Sequence, residues 1–321
     1  GFILTDSRSL CFPEETLFFA LKSERNDGHN YIPELYRRGV KNFVVTDVPK
    51  GYASDYPEAN FLKVVNTLEA LQRLAERHRD EFNIPIVGIT GSNGKTMVKE
   101  WLYQLLSPSM FVTRSPRSYN SQIGVPLSVW LMNEQTQVGV FEAGISQPGE
   151  MLALRDIIQP TIAVLTNVGS AHQENFSSLE EKCREKLILF HDAETVVYDG
   201  DDEVITKVVA EYPDYKGEKL FWSLQNPEAP FYVKKIEKQQ SVSVITYIYK
   251  GVEDSFSIPF IDDASIQNSI ICAAVASKIG LSAEDIDKRM AQLEPVAMRL
   301  EVKVGQHGCT PVSYTHLTLP T

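Results

Sequence analysis

Gly91, Ser92, Asn93, Gly94, Lys95 and Thr96 form one uninterrupted run between the apolar stretch 84–87 and a helix-patterned segment from Val98 to Leu106. Strand, glycine turn, Lys-Thr and helix is the arrangement that wraps backbone N–H groups around a phosphate and aims a helix N-terminus at it. In such a turn Lys95 neutralises the β- and γ-phosphates of a nucleotide, and the Thr96 hydroxyl meets Mg²⁺. The general pattern G-x-x-x-x-G-K-[ST] calls for glycine at position 89. This chain has Ile89, with Gly88 one residue early.

Further polar residues stand where strands should end. Glu142 closes the apolar run that starts at Val138, Asn167 closes the run that starts at Thr161, and His172 lies just beyond. In a doubly wound sheet, ligands sit outside the carboxyl ends of the strands. A carboxylate and an imidazole there read as Mg²⁺ ligands and nucleotide-orienting groups. Any one of them alone reads as an exposed loop residue; three in register with a phosphate loop point to function.

The elements that must position these residues form an α/β pattern. Residues 1–82 read as a small α/β domain, with strands at Thr16–Leu21 and Lys41–Thr46 and helices at Tyr31–Arg38 and Thr67–Arg79. From residue 83 strands and helices alternate, which implies a mostly parallel sheet with helices on both faces. Its strands are Ile84–Thr90, Val138–Ala143, Thr161–Asn167 and Thr195–Tyr198. Residues 219–258 alternate Val, Ile, Tyr and Phe between turn-like breaks, which predicts antiparallel hairpins. Helices at Ser265–Ile279, stopped by Gly280, and Ala283–Leu293 complete the unit.

The 321 residues are comfortable for two domains. A net charge of −11 makes a nucleic-acid partner improbable, though a small anionic ligand remains compatible with it. No apolar run reaches the roughly 20 residues that span a bilayer. Cys11, Cys183, Cys272 and Cys309 are scattered without a C-x-x-C pair, which fits a reducing cytoplasm rather than a zinc site or disulfide framework.

The run Gly88–Thr96 resembles the ATP loop of the Mur ligases, which also lack the first glycine of the general pattern. The segments 142–151, 167–172 and 120–127 resemble the branch that joins D-alanyl-D-alanine to UDP-N-acetylmuramoyl-tripeptide (UDP-MurNAc-tripeptide). The segments 5–8 and 26–29 are similar to that family's uridine-nucleotide domain. The resemblance extends from residue 1 to about 309 and implies an ATP-dependent amide ligase of peptidoglycan precursor synthesis, a cytoplasmic monomer without membrane insertion. Lys95 and the loop backbone would hold the ATP phosphates. Thr96 and Glu142 would hold one Mg²⁺, and His172 would contribute to a second.

The same resemblance makes Lys186 the lysine that the family carbamylates into a carboxylate-like metal ligand; by itself it reads as a solvated helix lysine. It places Asn268 on the adenine, Arg299 at a hinge near the ATP, and Ser7, Arg8 and Asn120 toward the muramoyl substrate. Asp201 and Asp202 match the family's Asp pair, although an acidic turn explains them as well, and His29 could simply pack within the first domain. The divisions implied are a uridine-nucleotide domain at 1–82, N-terminally incomplete, an ATP-binding domain at 83–300, and a hinge stub with an unpacked, non-native tail at 301–321. A third, amine-receiving domain of roughly 100–150 residues is expected to be missing. The alternatives are another ligase of the superfamily, such as folylpolyglutamate synthase, or a nucleotide-binding module with little turnover by itself.

Overall fold

The computed structural model describes residues 1–24, 26–169, 175–212 and 215–296. The chain opens with β1 (Phe2–Leu4), β2 (Thr16–Phe19), α1 (Ile32–Arg37), β3 (Asn42–Val45), α2 (Tyr52–Asp55), β4 (Asn60–Lys63) and α3 (Thr67–Arg79). The four strands form a parallel sheet in the order β1-β2-β3-β4. Adjacent residues on a strand point to opposite faces. Phe18 accordingly packs with Ile32, Leu35 and Phe43, while Phe19 turns the other way onto Val44 and Leu71 of α3. The Asn66 side chain starts α3 by accepting from the backbone N–H groups of Leu68 and Glu69.

A second sheet follows, built from β5 (Ile86–Thr90), α4 (Lys95–Leu106), β6 (Val112–Arg114), α5 (Gly124–Val129), β7 (Val138–Glu142), α6 (Glu150–Ile158) and β8 (Ile162–Leu165). It continues through α7 (Leu179–Leu187), β9 (Thr195–Asp199), α8 (Glu203–Ala210) and β10 (Glu218–Ser223). The last elements are β11 (Phe231–Lys238), β12 (Ser243–Tyr249), β13 (Val252–Ile258), α9 (Asp263–Ile279) and α10 (Ala283–Met290). Among the described residues nine strands lie in the order β13-β12-β11-β10-β9-β8-β5-β7-β6. The predicted α/β class, with a largely parallel second sheet, is what the chain forms.

The stretch 219–258 needs one correction. Its first strand, β10, pairs parallel to β9 and meets the start of β11 in parallel, at Trp222↔Phe231. The chain steps sideways at the end of β10 and continues in the same direction, so no crossover is needed. Only β11, β12 and β13 pair as antiparallel hairpins.

The central strands are buried on both faces, as parallel strands must be when helices cover them. Val87, Ile89, Val140 and Val164 face Trp101 and Leu102 of α4 and Ile270 of α9. Ile86, Phe141 and Leu165 face Met151 and Leu154 of α6 and Cys183 of α7. Each such side chain contributes about 1.5–3 kcal/mol when fully buried. The first sheet is tied to the second through α3, which packs on α5 and α6. The Arg79 guanidinium, at the end of α3, donates to the carbonyls of Ile158 and Gln159 (both 2.9 Å) and of Phe82 (2.7 Å).

No helix among the described residues is long and apolar enough to cross a membrane. A mostly apolar cavity of about 910 Å³ is lined by Leu152, Leu187, Phe190, Val209, Tyr212 and Tyr215, among others, and reaches the starts of β9 and β10.

Candidate active site

β5 lies between β7 and β8, at the point where the strand order reverses, so the loop after it opens into the crevice where α/β sheets bind ligands. The glycines of that loop are forced. Gly91 has φ +142°, and a Cβ on it would stand 1.9 Å from Thr166 Oγ1. Gly94 has φ +82°, and its Cβ would stand 2.6 Å from Asn268 Oδ1. Both backbone conformation and space exclude a side chain.

The loop is held from the end of β8. Asn167 accepts from the N–H of Ser92 with its carbonyl (2.9 Å) and from the N–H of Asn93 with Oδ1 (3.0 Å). Ser92 Oγ accepts from the N–H of Gly169 at 2.9 Å. Lys95 starts α4 and folds its ammonium back onto the carbonyls of Gly91 (2.7 Å) and Ser92 (3.4 Å). Asn268, in the second turn of α9, is buried and donates to Met97 Sδ at 3.2 Å, so it abuts the loop from the side.

Glu142, the last residue of β7, sits level with Ile89 of β5. Its side chain is fully buried. Oε2 accepts from Thr96 Oγ1 at 3.0 Å and from Asn120 Nδ2 at 3.4 Å. Oε1 lies 3.2 Å from the ammonium of Lys99 and has no aligned hydrogen-bond donor. Thr96, Glu142 and Asn120 are therefore one cluster at the mouth of the loop, which puts Asn120 beside the carboxylate.

Lys186 is not the solvated lysine that its sequence context suggests: it is 2% exposed. Its ammonium points from α7 to the carbonyl of Gly91 at 3.2 Å. Burial first, and then the neighbouring charges of Lys95 and Lys182, push it down to about 7. Lys182, one helical turn earlier, is also buried and donates to the carbonyl of Gly169 at 2.5 Å.

The remaining expectations divide. Ser7 is buried in a short turn, and its carbonyl accepts from Arg38 at 3.0 Å. Arg8 is exposed and pairs with Asp6 at 2.6 Å. His29 is held within the first unit, as Nε2 accepts from the N–H of Thr46 at 3.1 Å and Nδ1 donates to Asp27 Oδ1 at 2.6 Å. Asp202 caps α8 by accepting from Val204 and Ile205, and Asp201 accepts from the N–H of Leu224; the acidic-turn explanation suffices for both. His172 and Arg299 lie outside the described residues.

Sequence reasoning missed Lys99 and Lys182. Lys99 follows Lys95 by four residues in a helix whose first turns are almost entirely buried. Lys182 shares the buried face of α7 with Cys183, Lys186 and Leu187. In each case the signal was a lysine at i+4 from another lysine, on a face with apolar neighbours.

Known proteins are similar to this chain in sequence and fold. The UDP-N-acetylmuramoyl-tripeptide--D-alanyl-D-alanine ligase of Bacillus subtilis (strain 168) is 28% identical over 99% of this chain and 67% of its own length. A crystal structure of MurF from Acinetobacter baumannii superposes with a TM-score of 0.84 at 25% identity, over 93% of this chain and 64% of that one. The MurF ligase of Thermotoga maritima, crystallised in complex with ADP, gives a TM-score of 0.82 at 25% identity, over 97% and 70%. The chain thus spans about two thirds of the length of these relatives. The Mur ligase middle domain matches residues 89–276, from within β5 to within α9. That match takes in more than half of the chain, which therefore belongs to the Mur ligase family.

Proposed function

We propose that the chain binds ATP and takes part in joining D-alanyl-D-alanine to UDP-N-acetylmuramoyl-tripeptide through an acyl phosphate. The observation that carries this reading is the Thr96–Glu142 pair at the mouth of the glycine loop. The resemblance to ligases of that name supplies the substrates. On the same reading residues 1–82 hold the uridine nucleotide, with Ser7 and Arg8 near it, and residues 83–300 hold ATP. The protein would work as a cytoplasmic monomer.

The donor set fits Mg²⁺. That ion is usually bound through one or two carboxylates plus substrate phosphates, at 2.0–2.1 Å in an octahedron. Neighbouring ligand oxygens on such an octahedron lie about 2.9 Å apart, and Thr96 Oγ1 and Glu142 Oε2 are 3.0 Å apart. When bound, the metal would neutralise phosphate charge.

The chain's own groups do the rest. The loop N–H groups and the start of α4 bind the β- and γ-phosphates. Lys95 leaves the Gly91 and Ser92 carbonyls to reach them, and Asn268 borders the adenine side. A terminal carboxylate oxygen of the muramoyl tripeptide attacks the γ-phosphorus, and ADP departs. The amine of D-alanyl-D-alanine then attacks the acyl carbon, losing a proton as phosphate leaves. Positioning and charge compensation account for the catalysis. Lys186, half neutral near pH 7, has the free amine that adds carbon dioxide to become a carbamate, releasing one proton. That product would turn a cation beside Gly91 into an anion able to hold a second Mg²⁺ with His172. Arg299 would approach the ATP from the hinge.

The test is phosphate release from ATP with Mg²⁺. UDP-MurNAc-tripeptide is expected to stimulate release, and D-alanyl-D-alanine to raise it further. Release that ignores the muramoyl peptide sinks the ligase reading. Lys95→Ala should lose tight ATP binding.

A further inference from the structure

Lys99 carries an ammonium with no exposed surface, inside a helix whose other buried side chains are, apart from Thr96, apolar. Such a charge survives burial only when its neighbours compensate it. Lys99 Nζ has four partners: the carbonyls of Ser115 (2.8 Å) and Arg117, and the carboxylates of Glu100 (Oε1, 2.9 Å) and Glu142 (Oε1, 3.2 Å). Two of these lie in the segment after β6, where Arg117 adopts the left-handed φ of +49°. That segment leads on to Ser118, whose hydroxyl lies 3.4 Å from Thr96 Oγ1, and to Asn120 on Glu142. The ammonium thus joins α4, the 115–120 segment and the end of β7 at one point.

The two oxygens of Glu142 are consequently unequal. Oε1 faces Lys99; Oε2 faces Thr96 and Asn120. We infer that Lys99 is a positioning residue that makes Glu142 a one-oxygen metal ligand: its ammonium lies 3.2 Å from Oε1 as an ion pair without an aligned hydrogen bond, which draws that oxygen to the α4 side and leaves Oε2 toward Thr96. The inference rests on the nucleotide–Mg²⁺ reading above and deepens it, because it adds a basis for choosing the metal. Mg²⁺ takes carboxylates in a tight octahedron, whereas Ca²⁺ accepts six to eight oxygens and readily uses both oxygens of one carboxylate. A carboxylate with one oxygen ion-paired to an ammonium favours the smaller ion.

ADP affinity, measured by titration calorimetry in EDTA, in Mg²⁺ and in Ca²⁺, tests this on the whole chain. Wild type should gain affinity with Mg²⁺ and markedly less with Ca²⁺. Lys99→Gln keeps an amide to donate to the Ser115 and Arg117 carbonyls but removes the charge. It is expected to bind ADP in EDTA, to lose about 10-fold or more of the Mg²⁺-linked gain, in line with other partners of metal ligands, and to stop preferring Mg²⁺ over Ca²⁺. A Lys99→Gln protein with lower thermal stability but an unchanged Mg²⁺ gain and preference would make Lys99 a strut only, overturning the inference. Wild type alone is also decisive: Ca²⁺ supporting ADP binding as well as Mg²⁺ does overturns it even if no variant folds. No Mg²⁺-linked gain in wild type would instead overturn the nucleotide–metal reading on which the inference stands.

Discussion

The two ends of the nine-stranded sheet are built on opposite principles. At the carboxyl ends of β5, β7 and β8, Glu142, Lys99, Lys182 and Lys186 are all buried and paired through short polar contacts. At the starts of β9 and β10 there is a cavity of about 910 Å³ with mostly apolar walls, and its charged residues, Asp192, Glu211 and Lys216 among them, stand at least partly exposed. Room is not what marks the reactive end. Holding charges out of water costs several kcal/mol per ion unless partners compensate it, and chains retain such groups where chemistry uses them.

The largest effect should come from breaking the buried pair. Glu142→Ala leaves Lys99 and Thr96 facing an empty space, and is expected to cost about 3–5 kcal/mol in urea unfolding and to abolish Mg²⁺-linked nucleotide binding. Gly91→Ala comes next. Its methyl meets Thr166 Oγ1 and needs a left-handed backbone, so a loss of about 2–4 kcal/mol is expected, with ATP binding lost by calorimetry.

Lys186 sharpens the contrast through pH. Folding pushes it down to about 7, whereas an unfolded lysine titrates near 10.4. Between those values the unfolded chain holds one more proton, so stability attributable to this residue rises with pH from about 7 to about 10 and is lowest below 7. Lys186→Met should remove that slope, gain on the order of a few kcal/mol at pH 6, and still abolish turnover. A variant that loses stability at pH 6 would refute it. Incubation with bicarbonate above pH 7 should add the mass of one carbon dioxide to wild type and nothing to Lys186→Met.

The smallest effect belongs to the apolar end. Leu152 is 49% exposed on the cavity wall, and Leu152→Ser should change stability by less than about 0.5 kcal/mol and leave ATP affinity unaltered. Loss of ATP binding in that variant would break the separation between the two ends.

How much of this could be read from the chain follows the same division. The strand, the glycine turn and the helix start at Lys95 were legible because their signals are local and fall within a few residues. α3 was legible to its last residue, since its apolar stripe is written in one segment. The burial of Lys186 was not legible. It depends on Gly91, 95 positions away in sequence, and nothing within α7 announces that neighbour. β4 and β6 were missed because strands of three or four residues hold too few alternations to show a period. The direction of β10 was misread for a related reason. Alternation reports which face is buried, whereas the direction of pairing is set by where the chain re-enters the sheet.

The crowding around Gly91 and Gly94 also bears on how this site can change over generations. Thr166 fills the space over one glycine and Asn268 the space over the other, so neither position has a neighbouring codon that yields a working loop. A small molecule that took its hydrogen bonds from the backbone here would press on a surface with no viable escape substitution at those positions. Selection for resistance would then have to act at a distance, on residues whose side chains the compound touches.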